Sequence, residues 1–518
     1  MTRAFTVTTP IYYVNGEPHI GHTYTTVLAD TLARWHRACG EKTFFLTGCD
    51  MHGEAVLEAA RSRGASPREV AEHYAGVFRS TWDQLGLAYS RFIRTTDPDH
   101  VRVVQEILSR IHREGHVYFQ EYEGDYCVGC ERFLTERDLV LGLCRNHERP
   151  PEKRREANYF FRMSAHFGWL ERWIREHPEA IHPEAYRNEA LGMLREEGGL
   201  GDLCISRPKS RLEWGIELPF DRDYVCYVWF DALINYLTGI GYPDAPDFAE
   251  RWAACEHLIA KDILKPHAVF WPIMLRAIGL PPMKRLAVHG YWTVDERKIS
   301  KSLGNMISPL AMRDRYGFEP FRYFLLREMS FGHDASFSEE GMVARVNADL
   351  ANNLGNLVSR TLQMTRRFAG GRVPEAGPGG EPEARVRAVA EAAPAEVDAA
   401  LRRIDPRRAL EALFRIVDAA NLHLEQREPW RAASDPARAA ELQTTLATSC
   451  EALRIAAALL EPFLPQASRE IAVRLGVADA AAGALPAAAR WGAVALAGRA
   501  VVPGPPLFPR REAPERAA

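Results

Sequence analysis

A doubly wound α/β domain with a parallel sheet, interrupted by an insertion and followed by an α-helical bundle, is the fold class predicted by this chain of 518 residues. Three observations predict it. Strand-like and helix-like segments alternate from the N-terminus to about residue 115 and again from about 224 to 290. Between these stretches the alternation gives way to short strands, turns and a run of cysteines. Beyond about residue 340 strand signals disappear and apolar residues recur only at helical intervals.

In chain order, residues 5–9 have β character and are expected to end at Pro10, whose ring nitrogen has no proton for a ladder. Apolar positions from Thr23 to Trp35 fit a helix opening near His22, residues 42–47 read as a second strand, and residues 54–63 read as a helix. Val101, Val104, Ile107, Leu108 and Ile111 keep the spacing of one helix face. Residues 224–230, rich in aromatic and β-branched side chains, are expected to resume the sheet as a strand. The alternation continues through a strand at 257–260, a helix around 267–278 and a strand at 286–289. Val346, Leu350, Leu354 and Leu357, then Leu410, Leu413, Phe414 and Val417, mark the bundle. The Gly/Pro-rich residues 369–382 read as a surface loop, and the Ala/Pro-rich tail from about residue 480 is expected to be only partly ordered.

Composition narrows the function. Lysine and arginine total 65 against 68 acidic residues, a formal charge of −3, which excludes a general polyanion coat. An RNA partner would have to be recognised by local patches, exposed bases and shape. No apolar run is long enough to span a bilayer, and residues 5–13, broken by Pro10, lack a signal peptide's cleavage site, so a cytoplasmic protein is expected. Nine cysteines, three of them between positions 127 and 144, suit a metal better than a disulfide framework.

Three motifs carry chemistry. His19-Ile20-Gly21-His22 stands where a strand turns into a helix, so free N–H groups and the helix dipole favour phosphate there. Gly21 lets the backbone approach a phosphate closely, and the two histidines can donate to oxygens that gain charge in a transition state. Far downstream, Lys298-Ile299-Ser300-Lys301-Ser302 offers two ammonium groups on a loop, suited to neutralising a leaving pyrophosphate. Cys127-x2-Cys130 and Cys144-x2-His147, thirteen residues apart, have the spacing of a tetrahedral zinc site. With four protein ligands, such a zinc is structural.

The paired histidine and lysine clusters resemble the signatures of class I aminoacyl-tRNA synthetases. Within that class the chain is most similar to the methionyl-tRNA synthetase family over roughly residues 3–430. The resemblance is carried by Thr8-Thr-Pro-Ile-Tyr-Tyr-Val-Asn15, Thr47-Gly-Cys-Asp-Met-His-Gly53, Tyr227-Val-Trp-Phe-Asp-Ala232, Lys261-Asp-Ile-Leu-Lys-Pro-His267 and Val288-His-Gly-Tyr291. It implies a Rossmann-like catalytic domain in two halves, residues 1–115 and 224–290, split by a connective insertion at 116–223 that holds the zinc knuckle at about 122–150. It further implies a loop and stem-contact region at 291–340, an anticodon-binding helical bundle at 341–480 and a tail at 481–518.

The activity implied is ATP-dependent activation of L-methionine, with Mg²⁺, followed by transfer to the terminal adenosine of elongator and initiator tRNA(Met), by a monomer with one structural Zn²⁺ and no DNA or membrane partner. By the same resemblance Asp50 holds the substrate's ammonium group, while Ile11, Tyr13, Trp229, Ala232, Tyr236, Ile263 and His267 form the side-chain pocket. His19, Gly21, His22, Asp262, Lys298, Ser300 and Lys301 meet ATP, and Asn356, Arg360, Pro429 and Trp430 meet the anticodon. Aromatic faces and aliphatic walls are also what a flexible thioether needs. The chain departs from the family pattern at Met51, Ala260 and Ile299. Two other readings stay open: a class I synthetase for another small apolar amino acid, and a non-catalytic RNA-binding descendant.

Overall fold

The central sheet has six strands in the order Arg91–Arg94, Lys42–Asp50, Ala4–Tyr13, Cys255–Ala260, Arg285–His289, Ile181–His182. The structure is a computed structural model and describes residues 3–128, 132–134, 136–145, 147–195, 200–294, 297–298, 306–478 and 484–512. The chain divides into an α/β unit, Ala4–Ala29 with Thr43–Gly290, and a largely helical unit, Met1–Arg3 with Asp30–Lys42 and Tyr291–Ala518.

Within the α/β unit the sheet is parallel at Thr6↔Cys255, Glu256↔Arg285, Leu286↔Ile181 and Leu46↔Arg91. Strands covered on both faces bury nearly every residue, which is why Phe5, Val7 and the intervening threonines are all inside. Thr8 and Thr9 are hydrogen-bonded there, whereas the Thr6 hydroxyl finds no partner among the described residues: Thr8 Oγ1 lies 2.8 Å from His257 Nδ1, and Thr9 Oγ1 lies 2.7 Å from Thr47 Oγ1. Gly48 is required by close approach, since a Cβ there would stand 2.0 Å from the Ile93 carbonyl oxygen of the neighbouring strand.

Two sequence expectations need correction here. The first strand does not end at Pro10 but runs to Tyr13. Pro10 lies past the register of Thr6 to Thr8 with Cys255 to His257, so its missing N–H breaks nothing in that ladder. Residues 224–230 do not rejoin the parallel sheet. Asp221–Cys226 is the middle strand of a small antiparallel sheet with Ser206–Pro208 and Glu217–Leu218, and the helix Val228–Thr238 begins two residues later. Buried Phe230, Leu233, Ile234 and Leu237 recur three and four apart, a helical period that outweighs the local β propensity.

The helices Ile20–Ala38, Glu54–Arg63 and Pro98–Arg113 stand where their periodicity placed them. The second is capped by Gly53 at φ 115°. The insertion is built on a long antiparallel pairing, Val117–Cys127 against Glu152–Phe161, and also contributes Ile181–His182 to the edge of the parallel sheet.

The helical unit opens on short strands, Trp292–Val294 between Arg297–Lys298 and Ala335–Ser336. Helices already begin at Pro309–Tyr316 and Phe318–Glu328, before the predicted start of the bundle. Long helices at Glu381–Arg402, Pro406–Arg427 and Ala439–Leu460 enclose Val397, Leu410, Leu413, Val417 and Leu453. The tail expected to be partly ordered is docked over residues 484–512. Leu485, Ala489 and Phe508 are buried, the Leu485 N–H donates to the Ala38 carbonyl at 2.8 Å, and the Arg474 guanidinium donates to that of Pro505 at 2.8 Å. Alanine and proline can pack when other segments supply their polar partners. Among the described residues, no helix is long and apolar enough to cross a membrane.

Candidate functional site

The strand order reverses between Ala4–Tyr13 and Cys255–Ala260, and the carboxyl ends of strands at such a switch point open a crevice. Two sequence-predicted groups lie at these ends. After Tyr13 the chain turns through His19 into the helix beginning at Ile20, and after Ala260 a tight turn, Lys261–Ile263, holds exposed Asp262.

The histidine motif has a defined proton arrangement. The Gly21 N–H donates to His19 Nδ1 at 3.1 Å, and the His19 N–H donates to His22 Nδ1 at 3.3 Å. In each neutral ring an accepting Nδ1 leaves the proton on Nε2, so both imidazoles are N–H donors at a helix N-terminus. The rings lie 3.9 Å apart, and a Cβ on Gly21 would come within 3.0 Å of the His19 ring. Glycine therefore keeps the motif open.

The residues expected to form the side-chain pocket come from three segments. Trp229, Ala232 and Tyr236, three and four apart, share one face of the helix Val228–Thr238. Ile11, Trp229 and Ile263, each partly exposed, pack against one buried cluster that includes Tyr236, and partly exposed Tyr13 ends the first strand. His267 lies on the wide turn Pro266–Phe270. Its Nδ1 donates to the Ile263 carbonyl at 2.8 Å, so its Nε2 accepts the Tyr236 hydroxyl at 2.7 Å. Burial drives the His267 pKa down to about 4 against the pull of that carbonyl and of Asp262, so the ring is uncharged near neutrality. Tyr236 is braced by His257, stacked at 4.0 Å between centroids. An uncharged polar pair inside an aromatic and aliphatic wall can orient a thioether without presenting a charge to it.

Asp50 ends the strand Lys42–Asp50 at 2 % exposure, and its Oδ1 accepts the His52 N–H at 3.2 Å. Beside it lies a group that sequence reasoning missed. Asp231, fully buried, receives His52 Nδ1 on one oxygen and His100 Nε2 on the other, both at 2.7 Å. Burial acts to raise its pKa, but the charge of His52 and the hydrogen bonds from His100 and His52 hold it below the usual carboxylate value. The three residues are far apart in sequence. The only available signal was that His52 and Asp231 fall inside two of the family-like motifs.

In the insertion, Cys127, Cys144 and His147 offer ligand atoms within 4.8 Å of one another, with His147 Nδ1 at 3.8 Å from each sulfur. With bonds of roughly 2.3 Å to sulfur and 2.0 Å to nitrogen, ligands of a tetrahedral zinc stand about 3.5 to 3.8 Å apart, so these donors fit the ion. Cys130 lies outside the described residues. So do Ser300, Lys301 and the Lys298 side chain, while the Lys298 backbone pairs with Thr293.

In the helical unit, Asn356 and Arg360 stand one turn apart on the helix Gly355–Phe368, with Asn356 exposed. The Arg360 guanidinium lies 5.5 Å from the ring centroid of Trp430, which is 43 % exposed and follows buried Pro429. The structure thus brings an exposed indole and a guanidinium together on a surface that also carries an amide, a combination suited to stacking and base-edge recognition.

Residues 5–149 and 138–362 match the family described as tRNA synthetases class I (M), and residues 373–517 match the anticodon binding domain of methionyl tRNA ligase. The methionine–tRNA ligase of Deinococcus radiodurans is 44% identical over 98% of this chain and 75% of the relative. That of Streptomyces coelicolor is 40% identical over 98% of this chain and 97% of the relative. The structure superposes with a TM-score of 0.93 on the Mycobacterium tuberculosis methionyl-tRNA synthetase in complex with methionyl-adenylate, at 38% identity, covering 98% of this chain and 100% of that one. The chain belongs to the methionyl-tRNA synthetase family of class I aminoacyl-tRNA synthetases.

Proposed function

We propose that the chain activates L-methionine with ATP to methionyl-adenylate and pyrophosphate, then transfers the methionyl group to the 2′-hydroxyl of the terminal adenosine of elongator and initiator tRNA(Met), as a cytoplasmic monomer. The observation that carries this reading is the uncharged Tyr236–His267 pair on the pocket face of Trp229, at the same switch point as the two Nε2–H donors of His19 and His22. One arrangement suits a thioether, the other a phosphate.

The chemistry needs no side-chain nucleophile, because the methionine carboxylate itself attacks the α-phosphorus while pyrophosphate leaves. The protein aligns the two reactants and balances charge. Asp50 takes the ammonium group and so points the carboxylate toward ATP. Ile11, Tyr13, Trp229, Ala232 and Ile263 enclose the side chain. His19 and His22 donate to phosphate oxygens whose charge grows in the transition state, Gly21 leaves room for them, and Asp262 lies at the ribose. Lys298, Ser300 and Lys301 carry the charge of the departing pyrophosphate.

Mg²⁺, brought with ATP, supplies charge neutralisation on the phosphates. Cys127, Cys130, Cys144 and His147 would hold one Zn²⁺ that ties the insertion together. Asn356, Arg360, Pro429 and Trp430 meet the unstacked anticodon.

Exchange of labelled pyrophosphate into ATP, measured with each of the twenty amino acids in turn, tests the reading. Methionine should support exchange far above the other nineteen. Preference for another amino acid would give the pocket to that residue, and no exchange with any would leave an RNA-binding descendant.

A further inference from the structure

We infer that His52, braced by Asp231 and His100, is a positioning residue that couples the ammonium-binding carboxylate to the helix carrying the pocket. This rests on the reading of Asp50 and of the Trp229 face given above. His52 makes two connections at once. Its main-chain N–H donates to Asp50 Oδ1 at 3.2 Å, and its ring Nδ1 lies 2.7 Å from Asp231 Oδ2. Asp231 sits on the helix Val228–Thr238 between Trp229 and Ala232. A shift of the helix therefore pulls on the backbone that orients Asp50.

The surroundings make that link stiff. His100 Nε2 holds the second oxygen of Asp231 at 2.7 Å, and its Nδ1 lies 2.8 Å from Thr238 Oγ1 on the same helix. A carboxylate is an acceptor only, so both rings donate to it and neither can rotate without losing a buried hydrogen bond. Residues 51 and 52 are pinned from other sides as well. The Met51 N–H donates to Thr95 Oγ1 at 2.9 Å, the Trp214 indole N–H donates to the Met51 carbonyl at 2.5 Å, and the Trp214 ring stands edge-on to His52 at 5.4 Å. A core histidine needs only to be satisfied. Here both the main chain and the ring of one residue are committed, to the two parts that must close on methionine from different sides.

The test is kinetic. In methionine-dependent pyrophosphate exchange, His52→Ala should raise the KM for methionine roughly 10- to 100-fold, the size expected when a charge-assisted hydrogen bond that orients a group is lost, with the KM for ATP within about twofold. His52→Asn, whose amide can replace Nδ1 as donor, should recover most of the loss. Affinity for 4-(methylthio)butanoate, which has the thioether but no ammonium group, should change little in either variant. If His52→Ala does not fold, Asp231→Asn carries the same expectation. Equal loss for methionine and ATP, or equal loss for methionine and the desamino analogue, would overturn the inference. Absence of methionine-dependent exchange in the unmutated protein would instead overturn the functional reading.

Discussion

Three fully buried histidines of the α/β unit, His257, His267 and His289, are held uncharged, whereas in the helical unit buried carboxylates are paired with arginines: Asp30 with Arg322, Glu383 with Arg427, Glu451 with Arg454. Each neutral ring donates through one nitrogen and accepts through the other. His289 Nδ1 faces the Gly290 carbonyl at 2.7 Å while Nε2 takes the Thr25 hydroxyl at 2.8 Å, and His257 Nε2 takes the Trp271 indole N–H at 3.0 Å. Burial is the dominant cause, taking His267 and His289 down to about 4.

The difference follows from what each interior must do. The groups expected to face an apolar side chain, Tyr236 and His267, are uncharged and already hydrogen-bonded, which spares a ligand a desolvated ion, and the buried carboxylates nearby, Asp50 and Asp231, are each held by hydrogen bonds. Helices that present only aliphatic faces can slide, and an ion pair between two of them, as at Asp30–Arg322 and Glu383–Arg427, fixes their register because misalignment strands a charge. Arg322 shows this: besides Asp30 at 2.7 Å it donates to the carbonyls of Pro462 and Phe463 at the turn after Ala439–Leu460.

The largest expected effect is on the ion-pair side. Arg322→Leu removes one of the two guanidiniums on buried Asp30, leaving Arg34 at 2.7 Å, and should cost about 3 kcal/mol, read as a fall in the urea midpoint, while Asp30→Leu combined with Arg322→Leu, with Arg34 still facing Glu461, should recover part of that loss. An equally destabilised double variant would mean that the carbonyl contacts, not the charge pair, hold the turn.

The next effect separates the units by pH. His267 and His289 have folded pKa values near 4 against an ordinary 6.5, so the unfolded chain binds more protons between these values. The stability they contribute is full above about pH 6.5 and lost as pH falls through about 4, on the order of 3 kcal/mol for each ring. Glu383 lies on the other side. Burial acts to raise it, but hydrogen bonds from Arg427 and His423 bring it down to about 2 from 4.5, so its contribution holds above 4.5 and is lost toward 2. His423 adds a loss of the same sign as the other histidines, opposed by Glu383 beside it. Hydrogen exchange corrected for intrinsic rates should show Cys255–Ala260 and Arg285–His289 losing protection at higher pH than Glu381–Arg402. Simultaneous loss would erase the contrast.

The smallest effect concerns the surface of the helical unit. Arg360→Gln removes a partly exposed cation–π contact with Trp430, about 0.5 to 1 kcal/mol. Melting should barely move and pyrophosphate exchange should be unchanged, while the KM for tRNA rises. A changed exchange rate would show that this surface also bears on adenylate formation.

How much of this was legible before folding depends on the range over which each feature is set. His19, Gly21 and His22 lie within one turn, so their place at the start of a helix could be read from spacing alone, and the clustering of Cys127, Cys144 and His147 was legible from the knuckle pattern. The helix Val228–Thr238 was misread because its aromatic and β-branched residues look like a strand until the three-and-four spacing of Phe230, Leu233, Ile234 and Leu237 is weighed. The docking of the tail could not be read at all, since its partners, Ala38, Asn352 and Arg474, lie in distant segments.

The sequence by itself determined most of the element types, the helix N-terminus bearing two histidines and the knuckle of sulfur and imidazole donors, because periodicity, capping and short-range spacing act within a few residues. Tertiary structure alone decided that His52 and His100 share Asp231 across 179 and 131 residues, and that Tyr236 meets His267 as a neutral pair. Hydrogen bonding between side chains is set by which strands and helices become neighbours, and burial then selects the protonation state. Both exist only once the sheet has brought the segments together.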